Sequence, residues 1–176
     1  MIDINDFKII FNNIPDAKTT MVEAYISSGY INENMENEGI SHLLEHVLID
    51  SWEKCGKMGC TDYWKKKGVL TNASTGQTTV QYYIHGLAKD HMEMIDYITS
   101  ITLKPKISSF LIKKEAKAVY NELLIHAAHP MMELYDLMNN MLFRLEGLQL
   151  QDDIKLQIKN LKVFNVENLN AWIKKF

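Results

Sequence analysis

Cysteine, proline and long apolar runs are all scarce in this chain of 176 residues. The two cysteines, Cys55 and Cys60, sit in one Gly-rich loop, Cys55-Gly56-Lys57-Met58-Gly59-Cys60. Two thiols alone do not close a zinc site. The loop could hold a local disulfide or a metal clip; we read the pair as reduced thiols and the chain as cytoplasmic. No apolar run reaches the ~18 residues of a membrane span. The start, Met1-Ile2-Asp3-Ile4-Asn5-Asp6, lacks the basic and apolar regions of a secretory signal. Basic excess is absent too: 19 Lys and Arg face 22 Asp and Glu, a net charge of −3, with no Lys/Arg block. Nothing therefore supports a nucleic-acid or membrane partner. The three prolines, Pro15, Pro105 and Pro130, all fall at turns or breaks. No repeat, linker or low-complexity segment divides the chain.

What is present is enough apolar residue, 47%, for one domain over 1–176 with a real core. Phe7–Phe11 reads as a short strand, and Thr19–Ser27 as a second, with Val22, Ala24 and Ile26 on one side and Met21, Glu23 and Tyr25 on the other. The two are expected to pair as a hairpin or meander across the turn Asn12–Asp16. Residues 29–39 are polar and read as a loop. A helix follows from about Ile40 to Ser51, then a short one over Asp62–Lys67 closed by Gly68. Val69–Thr75 and Thr78–His85 read as strands about a Gly76-Gln77 turn.

The rest reads as helix. Asp90 is expected to cap a segment to Leu103, which Lys104-Pro105 ends. Ser108 or Ser109 caps the longest helix, to about Ala128, with Ile112, Ala116, Val119, Leu123 and Ala127 as its apolar stripe. Met131–Arg144 is a further helix whose methionines (Met131, Met132, Met138, Met141) we read as adaptable packing. Asp152–Leu161 and Val166–Lys175 end the chain. Strands and helices in blocks make an α+β domain.

The most informative stretch is His42-Leu43-Leu44-Glu45-His46, an H-x-x-E-H pattern. Positions four apart share one helix face, about 6 Å between Cβ atoms, so His42 and His46 can point at one object. Two neutral imidazoles so placed can hold a zinc ion. Glu45, beside them but not a ligand, can take a proton from the water that the metal acidifies. The pattern is that of the inverted zincins. Five residues also fit a solvated amphipathic helix, so the third ligand matters. Glu115 and Glu122, seven apart, return to nearly one face of the long helix. They border its apolar stripe, where a bare carboxylate is costly without a partner. Pairing with Lys113, Lys114 or Lys117 is the alternative. His126, four beyond Glu122, is a rival ligand or a support for one. His85, His91 and His129 read as surface or packing histidines.

Taken in order, these elements resemble the pitrilysin-type metallopeptidases, the insulysin and mitochondrial-processing-peptidase family. Gly29, nine residues, then Gly39-Ile40-Ser41-His42-Leu43-Leu44-Glu45-His46 looks like the family signature. Gly68 with Asn72-Ala73-Ser74-Thr75 is similar to its G-x-x-x-N-A-x-T segment. Glu122 follows His46 by 76 positions, the family's spacing to its third ligand, and Glu115 matches its supporting glutamate. The likeness covers roughly residues 5–176 and implies a two-layer α+β sandwich, a mostly antiparallel sheet packed against helices. It implies zinc on His42, His46 and Glu122, Glu45 as general base, and Glu115 steadying the site. Asn72, Ala73 and Ser74 would lie on an edge strand that a peptide substrate joins by strand addition.

Two departures stand out. Val47-Leu48-Ile49-Asp50-Ser51 replaces the family's Phe and Gly-Thr segment. Within these residues no counterpart is expected of the second half that supplies an Arg and a Tyr in the full enzymes, nor of the first domain's last strand. The expected function is thus a zinc endopeptidase for short or unfolded peptides, completed by a second copy or a different subunit. Maturation of a ribosomally made peptide would suit it. The alternatives are a non-catalytic subunit that holds a peptide by strand addition, and a metal-free α+β interaction domain.

Overall fold

Strict alternation in Thr19–Ile26 (β3) turns Val22, Ala24 and Ile26 toward the core and Met21, Glu23 and Tyr25 to solvent. In the computed structural model, which describes residues 2–4, 7–145 and 153–176, β3 pairs with Val80–Leu87 (β5). Leu70–Thr75 (β4) pairs with the other side of β5, so the antiparallel sheet runs β3-β5-β4. The central strand buries Val80, Tyr82 and Ile84. β4 is an edge strand among the described residues, as expected for the segment carrying Asn72, Ala73 and Ser74. The expected hairpin of the first two strands does not form. Phe7–Ile9 (β2) pairs instead with Ile2–Ile4 (β1) in a separate ribbon. The nine residues between β2 and β3 are too many for a tight turn, and β3 takes the β-branched and aromatic β5 as its partner.

Helices cover the sheet to make the second layer. Ile40–Ile49 (α1) lies against β4 and against Ser109–Ala127 (α4), and His91–Leu103 (α3) lies against β3 and β5. Leu43, Val47, Leu48, Met94, Tyr97, Ile98 and Ile101 fill the space between. Beneath α1, Trp52 stacks on Trp64 of Cys60–Lys66 (α2) at 5.6 Å, with Tyr97 edge-on to both. Pro130–Leu145 (α5), Ile154–Asn160 (α6) and Val166–Lys175 (α7) follow. Leu169 and Trp172 of α7 join the core, and the Asn160 side chain donates to the Glu38 carbonyl at 3.1 Å. The C-terminal helices thereby brace the loop that leads into α1.

Several expectations need correction. The α1 helix ends at Ile49, with Asp50 as its C-cap, rather than at Ser51. Asp90 occupies the N-cap of α3 but its side chain accepts no capping bond, whereas Ser108 does accept from Leu111 N–H at 3.2 Å. Ala127 is exposed, because α4 has passed the end of the core by then. Met131, Met132, Met138 and Met141 do not pack; all four are exposed on α5. Asp152 lies outside the described residues. The cysteines are not free thiols: Cys55 and Cys60 are joined in a disulfide, their Cα atoms 5.0 Å apart. The turn through Gly56 and Gly59, both at positive φ, brings them together. The cytoplasmic expectation loses the support it drew from reduced cysteines. Among the described residues, no helix is long and apolar enough to cross a membrane.

Candidate metal centre

The geometry of α1 is set before its first histidine. Gly39 begins the helix in the left-handed region, φ +88°, and a Cβ there would press on Gln157. Glu33, buried, reaches the helix start and accepts the N–H groups of Gly39 at 2.7 Å and Ser41 at 2.8 Å. It thus satisfies donors that no intrahelical carbonyl can reach. Burial nonetheless pushes its carboxyl up to about 7, against the pull of those two bonds. The preceding loop is stitched to the β4–β5 turn: Tyr30 N–H donates to Gly76 and Ile31 N–H to Gln77. Gly29 must be glycine here, since a Cβ would collide with the carbonyl oxygens of Gly76 and Gln77.

From this platform His42 and His46 project together, their ring centroids 5.1 Å apart. Both Nε2 atoms converge on one oxygen of Glu122 from α4, each at 3.3 Å. The ligand atoms of the three residues lie within 4.8 Å of one another. Donors bound at 2.0–2.1 Å around a tetrahedral zinc sit about 3.3–3.4 Å apart, the distance from each histidine to Glu122 here. Two imidazoles and a carboxylate are also the donor types that zinc accepts. Burial, then the neighbouring His46, lowers His42 to about 4, which keeps its imidazole neutral and its lone pair available. Burial alone would lower His46 as well, but the bond to Glu115 and the charge of Glu122 outweigh it and raise its pKa.

The other expected residues surround this cluster. Glu115, buried, places Oε2 3.6 Å from His46 Nδ1, on the ring side away from Glu122. Burial would raise its carboxyl, yet His46 and Lys114 hold it below the ordinary value. Glu45 lies one position before His46 and turns to β4, where the Thr75 hydroxyl donates to its Oε2 at 2.5 Å. Burial raises the Glu45 carboxyl, and the Thr75 bond and His46 work against that rise. A cavity of about 650 Å³ opens beside the cluster, lined among others by Glu45, His46, Glu122, Asn72 and Ala73. Ser74 sits on the same edge strand but does not line the cavity. His126 stays outside the three-residue cluster, and its charge works to lower His42. His85, His91 and His129 are exposed, as expected.

Two contributors escaped the sequence reading. Thr75 belongs to the quoted Asn72-Ala73-Ser74-Thr75 segment, so its signal was present without a role. Glu33 is one acid in an Asn/Glu-rich loop, and nothing local marks it as the acceptor for the α1 N-terminus. The divergent Asp50 also finds a place: it is largely buried, accepts from Cys60 N–H at 2.7 Å and pairs with Lys114.

Residues 8–151 match the family described as Insulinase (Peptidase family M16). The chain is 25% identical over 118 residues to the mitochondrial-processing peptidase subunit beta of Saccharomyces cerevisiae, covering 67% of this chain and 26% of that protein. It is 24% identical over 135 residues to the uncharacterized zinc protease YmxG of Bacillus subtilis, covering 77% and 33%. The chain thus spans about a quarter to a third of the length of these relatives. In fold it is similar to a solved protease from Helicobacter pylori, with a TM-score of 0.68 at 17% identity over 89% of this chain and 38% of that one.

Proposed function

We propose, for a chain that belongs to the insulinase family of peptidases, family M16, a zinc-dependent endopeptidase activity on short or unfolded peptides. The observation that carries this reading is the convergence of the His42 and His46 Nε2 atoms on one Glu122 oxygen, with Glu45 alongside. In this reading His42, His46 and Glu122 hold the ion. When bound, zinc supplies the acidity that makes water a nucleophile near neutral pH. Glu45 would then serve as the base that accepts a proton from water and passes it to the leaving amine. Thr75 aims the Glu45 carboxylate, and Glu115 fixes the His46 ring through Nδ1.

An extended peptide would add to the free side of β4 along Asn72, Ala73 and Ser74 through backbone hydrogen bonds. That places it beside the cavity and Glu45. The Glu122 side chain is 53% exposed, so the cluster is open on one side. A second copy, or a different subunit, would cover that side; the name of the yeast relative, a beta subunit, supports an assembly. Trimming of a ribosomally made peptide would suit a site of this size. The test is Glu45→Gln, assayed on unfolded peptides with any co-purifying subunit present. Cleavage should vanish while zinc stays bound; retained turnover removes Glu45 from the mechanism.

A further inference from the structure

We infer that Asp50 and Lys114 form a charged relay that positions Glu115 against His46 and so tunes the metal affinity of the His42–His46–Glu122 cluster. The inference rests on the metal-site reading above. It involves Asp50, which lies in the stretch after the second histidine where the sequence departs from the family it resembles.

The contacts run in one line from the disulfide to the histidine. Cys60, fully buried and bonded to Cys55, donates its backbone N–H to Asp50 Oδ1 at 2.7 Å. The other Asp50 oxygen accepts from Lys114 Nζ. The same ammonium reaches Glu115 Oε1 at 2.9 Å. The remaining Glu115 oxygen faces His46 Nδ1 at 3.6 Å. Each carboxylate therefore spends one oxygen on Lys114 and the other on the next member of the line. Asp50, the C-cap of α1, is four residues beyond His46 and lines the same cavity.

The arrangement answers a chemical need. With Nε2 aimed at the cluster, the His46 proton belongs on Nδ1 and requires an acceptor, which also raises the basicity of the ring. Glu115 faces that nitrogen at 3.6 Å, and it lines one cavity with Glu45 and Glu122. A buried carboxylate there needs a polar partner for its other oxygen. Lys114 supplies it. Neighbouring residues on a helix point about 100° apart, and the Lys114 side chain is half exposed, so left alone it would extend into water. Asp50, itself tied to the disulfide-closed loop, holds it inward.

The test is the zinc dissociation constant of the purified chain, read by competition with a chromogenic chelator, with the thermal midpoint of each metal-free variant measured in parallel. Lys114→Met should weaken zinc binding about tenfold, the lower end of the range for hydrogen-bond partners of metal ligands. Lys114→Arg should restore affinity to within about threefold of wild type, since it keeps the charge. Asp50→Asn should weaken binding similarly, and adding it to Lys114→Met should cost little more, because the two act as one unit. Lys114 is a surface-reaching side chain, so its variants remain informative if Asp50→Asn fails to fold. Unchanged affinity in Lys114→Met, or equal loss in Lys114→Met and Lys114→Arg, overturns the relay while leaving the metal site standing. A wild-type chain that binds no zinc overturns both.

Discussion

Replacing Thr75 by valine removes a single hydroxyl, keeps the β-branched shape that β4 favours, and should disable catalysis without emptying the metal site. The Thr75 hydroxyl donates to Glu45 Oε2 at 2.5 Å. Glu45 is buried, and the Thr75 backbone also bonds to it, a contact that the valine keeps. A hydrogen bond to a charged group contributes about 1.5–3 kcal/mol. At 1.36 kcal/mol per factor of ten, its loss corresponds to about 10- to 100-fold in kcat/KM if the bond holds the base in its working position. The pH profile adds a sign. Burial already raises the Glu45 carboxyl and Thr75 opposes that rise, so the variant's acid limb should move to higher pH. The assay is peptide cleavage across pH 5–9, beside zinc stoichiometry for both proteins. Cleavage within about threefold of wild type, or an acid limb that stays in place, would refute the role given to Thr75. Loss of activity together with zinc would assign the residue to folding instead.

Other expectations follow from the same contacts. Glu33→Ala strips two buried N–H groups at the start of α1 of their acceptor, and should lower stability by about 1–3 kcal/mol in urea unfolding. His42, lowered to about 4, carries a proton in the unfolded chain but not in the folded one between that pH and about 6.5. Its contribution, up to roughly 3 kcal/mol, is present above about pH 6.5 and lost as pH falls toward 4. The stability difference between metal-free wild type and His42→Ala should therefore shrink over that range; a constant difference would contradict the buried, neutral imidazole. Replacing both Cys55 and Cys60 by serine should cost about 2 kcal/mol, as expected for a short closed loop, and intact-mass alkylation of the unreduced wild type should find no free thiol.

The parts of this protein that were readable in advance are those that local periodicity encodes. The i, i+4 spacing of His42 and His46 places them together whatever surrounds the helix. The seven-residue repeat of Glu115 and Glu122 does the same on α4, and alternation in β3 predicts which side of each residue is buried. What failed depends on partners distant in the chain. β2 looks like a strand in isolation, but its pairing with β1 rather than β3 is a tertiary choice. The Cys55–Cys60 spacing suits a thiol pair, a clip or a disulfide equally, and only the fold of the intervening glycines decides among them. The α5 methionines sit at helical spacing, yet periodicity cannot say whether anything lies opposite them. Asp50, 64 positions from Lys114, gave no local sign of a partner.

The most direct test of the account is the zinc content of the purified chain beside that of Glu122→Gln. Glu122 is the one member of the cluster contributed by a different helix, so it reports whether α1 and α4 converge on an ion. The account predicts about one zinc per chain, lost or greatly weakened in the variant. An absence of zinc in wild type after supplementation, or equal zinc in both proteins, would contradict it.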